Sequence, residues 1–320
     1  MQIISIGEVL WDLFDQERLY LGGAPLNFSA NSLRLGHSAI LLSAVGKDSL
    51  GTEALKRIQA LGLSTEMIQQ IPGIPTGTAK VTMDPENHIS FSIHRPAAFD
   101  AIGLCEKQFA SLNQFKPDWI YFGTLAQTEP ATERLVLQVL QSAPRARRFY
   151  DMNLRTGHWN LALVERLARL ATVLKLNGSE AEILFREFLG DRPFNLEEFC
   201  RYCSSRFRAE TVCVTLGGKG CAVFTKDTFA HFQGFAVDVV DTVGAGDAFA
   251  AAFLHGLDAQ WPIERVARFA NAVGAIVTTR AGAIPKWTLN ECMQLLGSTS
   301  DPSAAPDVYD ASSASGGAQR

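Results

Sequence analysis

No apolar run in this 320-residue chain approaches the ~20 residues that a membrane-spanning helix requires. No basic tract stands out, and the formal net charge is −4. Nucleic-acid binding and attachment to an anionic membrane are therefore not expected. The opening residues, "MQIISIGEVLWD", lack the basic n-region and small-residue cleavage site of a secretory leader and read as a first strand. The expected setting is the cytoplasm. Cysteine is sparse: Cys105, Cys200, Cys203, Cys213, Cys221 and Cys292. Cys200 and Cys203 form a C-x-x-C, but no second pair or Cys/His cluster completes a zinc site. Both fall on an amphipathic helical pattern, "LEEFCRYCSSRF", so two packed thiols are expected ahead of a redox or metal role. The G-x-x-x-x-G-K-[ST] phosphate loop is missing, and no internal repeat is visible. A dinucleotide oxidoreductase is disfavoured because "GEVLWD", not G-x-G-x-x-G, follows the first strand.

What is present is apolar residues, 47% of the chain, enough for a sizeable core in one large α/β domain or two smaller ones. Short β-branched runs alternate with helical patterns. Strands are expected at "IISIGEV", "AILLSAVG", "DWIYFG", "RRFYDMN", "TVLKLN" and "TVCVTLG"; helices at "LNFSANSLRLG", "LGTEALKRIQALG", "ATERLVLQVLQSA" and "SEAEILFREFLG". This rhythm predicts an α/β fold, a central and mainly parallel sheet with helices on both faces. Ligands on such sheets bind at the carboxyl ends of the strands. Residues 11–21 and 77–94 break the rhythm with near-alternating polarity and read as hairpin strands, the second turning at "DPEN". They form either a small sheet covering a site as a lid, with Phe91 and Ile93 to seal it, or ordinary edge hairpins. The segment 298–320 is rich in Ser, Ala, Pro and Gly and reads as a disordered tail, leaving 1–297 as the folded domain.

Two Gly-rich helix starts carry the chemistry. In "DTVGAGDAFAAAF", Gly244 and Gly246 bare the backbone ahead of an apolar helix, and Asp247 falls in its first turn. Unpaired N–H groups and the helix dipole make such a start an anion hole suited to a phosphoryl group. Asp247 then either takes the proton of an attacking hydroxyl or merely complements the dipole. In "LGGAPLNFSANSLRLG", Gly22 and Gly23 precede a helix that Pro25 helps to start, with Asn27 in its first turn. Close approach of a hydroxyl-rich ligand fits this pattern, an amide offering donor and acceptor and Asp12 accepting from two hydroxyls. A capped helix N-terminus fits it too.

Together these two regions resemble the signatures of the ribokinase-like (PfkB) sugar kinases, in family order and spacing. The resemblance spans roughly residues 3 to 296 and includes "YDMNLRTGHW", "KLNGSEAE", "VTLGGKGC" and "ANAVGAIVTTRAGAIP". It implies an ATP- and Mg²⁺-dependent sugar kinase, with Asp247 as base and the backbone of Gly244, Ala245 and Gly246 as anion hole. Asp12, Gly23 and Asn27 would hold sugar hydroxyls. Thr215, Gly217, Gly218 and Gly220 would run under the nucleotide, and Asn271 would lie near the adenosine. Asn177 and Glu180 match the family's N-x-x-E element, with Glu180 reaching magnesium through water. A monovalent cation such as K⁺ is implied beside Asp241 and the carbonyls near Val243, Val277, Arg280 and Gly282. Lys286 departs from the small residue common there; its ammonium either intrudes or points to solvent.

"GGAPLN", "IHRPAAFD" and "YDMNLRTGHW" resemble the fructokinase branch, making fructose the first substrate. Arg95 and Arg155 are the arginines to watch, because arginine suits carboxylate binding. An acidic keto-sugar, 2-keto-3-deoxygluconate, is the alternative substrate. Other ketose, ribose or nucleoside kinases follow, and a non-catalytic sugar or nucleotide sensor is the alternative of another class. Many relatives are dimers, and lid edges suit pairing between subunits, so a homodimer is expected.

Overall fold

The alternating patterns become strands and helices in the expected order. The computed structural model describes residues 1–14, 19–83 and 89–298, with the side chains of 81–83, 89–91, 113 and 298 excepted. In chain order the strands are β1 (Gln2–Ile6), β2 (Leu10–Leu13), β3 (Leu19–Gly22), β4 (Ser38–Gly46), β5 (Ile68–Ile71), β6 (Gly77–Met83) and β7 (Ile89–His94). They continue with β8 (Trp119–Gly123), β9 (Arg147–Asp151), β10 (Val173–Asn177), β11 (Thr211–Thr215), β12 (Cys221–Thr225) and β13 (Thr228–Phe232). Nine of them form one sheet in the order β13-β12-β11-β10-β9-β8-β1-β4-β5. From β11 through β5 every neighbouring pair is parallel.

The β12–β13 hairpin adds an antiparallel edge that the strand–helix rhythm does not announce. Its turn runs through Lys226 and Asp227 at φ 48° and 59°, positions where glycine or asparagine is the usual signal.

Helices cover both faces. On one face, the helices Pro130–Ser142, Leu161–Ala168, Gly178–Leu189 and Leu196–Phe207 bury their apolar stripes against Ile120, Tyr150, Leu174 and Val212. On the other, Ala245–Asp258 and Ile263–Thr278 pack on Ile3, Tyr121, Phe149 and Val173. The neighbouring strand residues point to opposite faces, as a sheet's two-residue period requires. Cys200 and Cys203 are buried in the first layer as free thiols. Burial pushes the Cys200 thiol up to about 12 and the Cys203 thiol up as well, so both are packing groups.

The two rhythm-breaking segments meet in a second sheet, β3-β2-β6-β7. Each contributes an antiparallel pair, and β2 and β6 join them in parallel from Leu10↔Gly77 to Leu13↔Lys80. Only residues 7–9 separate β1 from β2, so the small sheet stands at the carboxyl end of β1. The "DPEN" turn, the Phe91 side chain and the tail from 299 lie outside the described residues. Ser298 itself closes the helix Leu289–Ser298.

Candidate active site

A cavity of about 490 Å³ lies between the carboxyl ends of the parallel strands and the small sheet. Asp12, Gly23, Asn27, Arg155, Asn177, Glu180, Thr215, Val243, Gly244, Gly246 and Asp247 line it, residues drawn from both halves of the chain. Ile93 of β7 lines it as well and is buried.

Asp247 is the third residue of the helix Ala245–Asp258, with Gly244 as its N-cap. Gly244 has φ 78°, and a β-carbon there would lie 2.1 Å from the Ala283 carbonyl oxygen. The helix therefore starts under a crossing loop where only glycine fits. Gly246 has space: its nearest neighbour is the Lys175 ammonium, 3.6 Å from an added β-carbon. The Asn27 amide donates to Asp247 Oδ2 at 2.8 Å, joining the two Gly-rich helices across 220 residues of sequence. Asn27 Oδ1 is buried and has no protein partner. Burial, followed by the Asp151 charge, raises the Asp247 carboxyl from its ordinary value to about 7. Burial raises Asp12 to about 7 too, against the pull of Arg155.

Gly23 stands at φ 114°, where a β-carbon would meet the Glu8 carbonyl oxygen at 2.3 Å. Its glycine is thus required by packing, and the close approach is to Glu8. Glu8 is also the cap of the following helix, its Oε1 accepting from Ala24 N–H at 3.2 Å. The helix start in "GGAPLN" is capped through Glu8, and Gly23, Ala24 and Asn27 also line the cavity. Glu8 lines the cavity and escaped the sequence reading, since a glutamate after "ISIG" carries no distinguishing pattern.

Asn177 and Glu180 form a capping box at the start of the helix Gly178–Leu189, with bonds of 2.9 and 2.8 Å. Glu180 Oε1 accepts from Leu154 N–H at 2.7 Å. Burial raises the Glu180 carboxyl, and its bond from the Asn177 backbone opposes that rise.

Several expected residues lie elsewhere. Arg95 does not line the cavity: it donates to Thr128 Oγ1 at 2.5 Å and Leu125 O at 2.6 Å, and pairs with Asp100 at 3.2 Å. It is a clamp between the end of β7 and the turn Leu125–Thr128. Gly217 and Gly218 sit in a short turn after β11, with nothing within 4 Å of an added β-carbon. Gly220 differs, since a β-carbon there would lie 2.1 Å from the Phe232 carbonyl oxygen, so internal packing requires it. Asn271 is buried and donates to the carbonyls of Phe232 and Gln233 at 3.2 and 3.1 Å. It braces the same loop against the helix Ile263–Thr278. Ala245 is the first residue of its helix and is not among the lining residues.

Asp241 ties the proposed cation loop together, accepting from Val243 N–H at 3.0 Å and Gly282 N–H at 2.8 Å. The Val277 carbonyl accepts from Arg280 N–H at 3.3 Å, and the Arg280 guanidinium is paired with Glu291. Lys286 is exposed, so its ammonium faces solvent.

Residues 8–289 match the pfkB family of carbohydrate kinases. The chain is 30% identical over 308 residues to a probable fructokinase-3 of Arabidopsis thaliana, covering 88% of this chain and 87% of that one. It is 28% identical over 298 residues to a fructokinase of Salmonella typhimurium, covering 87% and 94%. In structure it is similar to a fructokinase of Xylella fastidiosa solved with bound ATP, with a TM-score of 0.81 and 25% identity over 94% of this chain and 99% of that one. The large mainly parallel sheet with its small accessory sheet is the ribokinase-like fold that these comparisons share. With nearly its whole length matched in sequence and in fold, the chain belongs to the pfkB family of carbohydrate kinases.

Proposed function

We propose that the chain transfers the γ-phosphoryl of ATP to a hydroxyl of a neutral sugar, fructose first. The observation that carries this reading is the convergence of Asp247, the Gly244–Gly246 helix start and Asn27 in one cavity. A sugar hydroxyl within reach of Asp247 attacks the γ-phosphorus as its proton passes to the carboxylate. The bond from γ-phosphorus to the bridging oxygen breaks, and ADP leaves. The N–H groups of the first helical turn take the phosphoryl oxygens. Asn27 Oδ1, buried without a protein partner, suits a hydroxyl donor, and Asp12 accepts from others.

Thr215 and the open Gly217–Gly218 turn form the nucleotide side of this reading. Gly220 and Asn271 act there by bracing the loop. Glu180 and Asn177 would face magnesium through water, each oxygen of Glu180 keeping a lone pair beyond its backbone bond. Magnesium, when bound, neutralises charge on the phosphates. A monovalent cation would be held against Asp241, with Lys286 out of the way.

A neutral sugar is favoured over a keto-acid because Arg95 is committed to its clamp and the charge of Arg155 already acts on Glu8, Asp12 and Asp247. Fructose is favoured by the names of the relatives. Residues 1–297 act as one domain, with the small sheet over 11–21 and 77–94 as its lid. Free buried thiols suit a cytoplasmic setting, and the outer strands β3 and β7 would pair in a homodimer. Among the described residues no helix is long and apolar enough to cross a membrane.

The test is a coupled assay for ADP release, run with ATP, Mg²⁺ and a panel of neutral and acidic sugars. Fructose should give the highest kcat/KM. A preference for 2-keto-3-deoxygluconate above ~10-fold, about 1.4 kcal/mol, would overturn the substrate, and no turnover with any sugar would leave a non-catalytic sensor.

A further inference from the structure

The helix Ala24–Arg34 carries a polar row that does more than present Asn27 to Asp247. Asn27, Asn31 and Arg34 follow one another at steps of four and three residues, so they share a face. Asn31 is buried; its Nδ2 donates to the Asn27 carbonyl at 2.8 Å, and its Oδ1 accepts from Trp287 Nε1 at 2.7 Å. Arg34 donates through Nη1 to the Pro285 carbonyl at 2.5 Å and through Nη2 to the Ile284 carbonyl at 3.3 Å. These partners lie 250 residues or more downstream, in the loop that follows the helix Ile263–Thr278.

The acceptors that Arg34 reaches are all neutral oxygens, and among the described residues it has no carboxylate partner. Burial lowers the half-buried guanidinium from its ordinary value. A cation so placed costs stability. It is also the last residue of its helix, where positive charge complements the dipole. A lysine would serve the dipole equally well. What only the planar fork supplies is a grip on two successive carbonyls at once.

The gripped loop touches three parts of the site. Ala283, next to Ile284, lays its carbonyl over Gly244, the N-cap of the Asp247 helix. Gly282 N–H donates to Asp241 Oδ2 at 2.8 Å, and Asp241 Oδ1 accepts from Val243 N–H at 3.0 Å, so the loop also holds the chain entering that helix. On its outer side an added β-carbon at Gly282 would lie 3.4 Å from the Tyr20 ring, on β3 of the small sheet. One helix thus reaches the Asp247 helix start twice: directly through Asn27, and through Arg34, the loop and Gly244.

We propose that Arg34 is a positioning residue that ties the Asn27 side of the cavity to the anion hole: by holding the Ile284 and Pro285 carbonyls it keeps Ala283 seated on Gly244. This rests on the reading of the cavity as the site of phosphoryl transfer. Arg34 does not line the cavity and acts only through the loop.

The experiment compares Arg34→Met and Arg34→Lys with the parent. Thermal midpoint, kcat and sugar KM are measured, with amide exchange by NMR in the protein free of ligands. The amides that report on the helix start are Val243, Ala245 and Ala248, which are bonded to Asp241, Thr242 and Gly244. In Arg34→Met, kcat should fall at least ~10-fold, as a small misplacement of catalytic groups does, with sugar KM within about three-fold. The three amides should exchange at least ~10-fold faster. Arg34→Lys should restore the midpoint to within about 2 °C and leave kcat low. Parental kcat in either folded variant would overturn the proposal, and so would faster exchange confined to residues 284–288. If Arg34→Met does not fold, the kcat and exchange of Arg34→Lys decide by the same criteria. Should the parent phosphorylate no sugar, the proposed activity fails, yet the exchange comparison needs no substrate and still decides whether Arg34 sets the helix start.

Discussion

At the scale of residues, the same letter does different work at different positions. Gly244 and Gly246 read alike in sequence, but the first sits under the Ala283 carbonyl at positive φ and the second faces open cavity. Gly244→Ala should therefore disturb the fold itself, with a thermal midpoint lowered by several degrees, as is typical of a strained close contact. Gly246→Ala should fold as well as the parent or better, since alanine favours a helix by up to about 1 kcal/mol, and yet lose turnover. Midpoints and coupled assays on the pair check this; equal stability of the two would contradict the packing argument. Arg95 teaches the converse. Its residue type suggests a substrate clamp, while its partners are Asp100, Thr128 and the Leu125 carbonyl. Arg95→Ala should lower the midpoint and leave sugar KM within about two-fold; a large rise in KM at unchanged stability would restore it to the substrate side. That Asp247, Asn27 and Asp12 would face one cavity was legible, because each was read at or beside a Gly-rich turn at the carboxyl ends of the strands. Glu8 was not, since its meaning comes from a cap that no local pattern encodes.

At the scale of elements, the parallel core was readable from β-branched runs separated by helical periods. The hairpin β12–β13 and the edge strand β5 were missed: one turns on Lys226 and Asp227 without glycine, and the other, "IQQI", is half polar. The small sheet was readable as strands, but its parallel β2–β6 seam was not, because the partners are 67 residues apart. That seam matters to function. It couples Asp12 on β2 to the β6–β7 hairpin, which carries Ile93 into the cavity wall. Closure should exclude water that would otherwise accept the phosphoryl group. Ile93→Ser should accordingly raise ATP hydrolysis relative to sugar phosphorylation. Comparing ADP released with sugar phosphate formed checks this, and an unchanged ratio would remove Ile93 from the seal.

At the scale of the whole molecule, the site is held at a cost in stability. Asp247 folds with its carboxyl raised to about 7, mainly by burial. Below the unfolded value both states are protonated and nothing is lost. Above 7 the buried carboxylate is ionised and the full penalty applies. Asp247→Asn should therefore stabilise the protein most at pH 8, on the order of 2 kcal/mol once its access to solvent is allowed for, and the gain should fade towards pH 4. Melting curves across this range check it; a gain that grows as pH falls would contradict the assigned sign. The same raised carboxyls of Asp247 and Asp12 should give kcat/KM an acid limb near pH 7, belonging to the two groups jointly. The most direct measurement is turnover of Asp247→Asn with fructose, ATP and Mg²⁺, alongside its ATP affinity by calorimetry. Removal of the base with the anion hole intact predicts a kcat at least ~10²-fold lower and ATP binding unchanged or tighter. Near-parental turnover in the folded variant would show that Asp247 only complements its helix dipole, and would contradict the account.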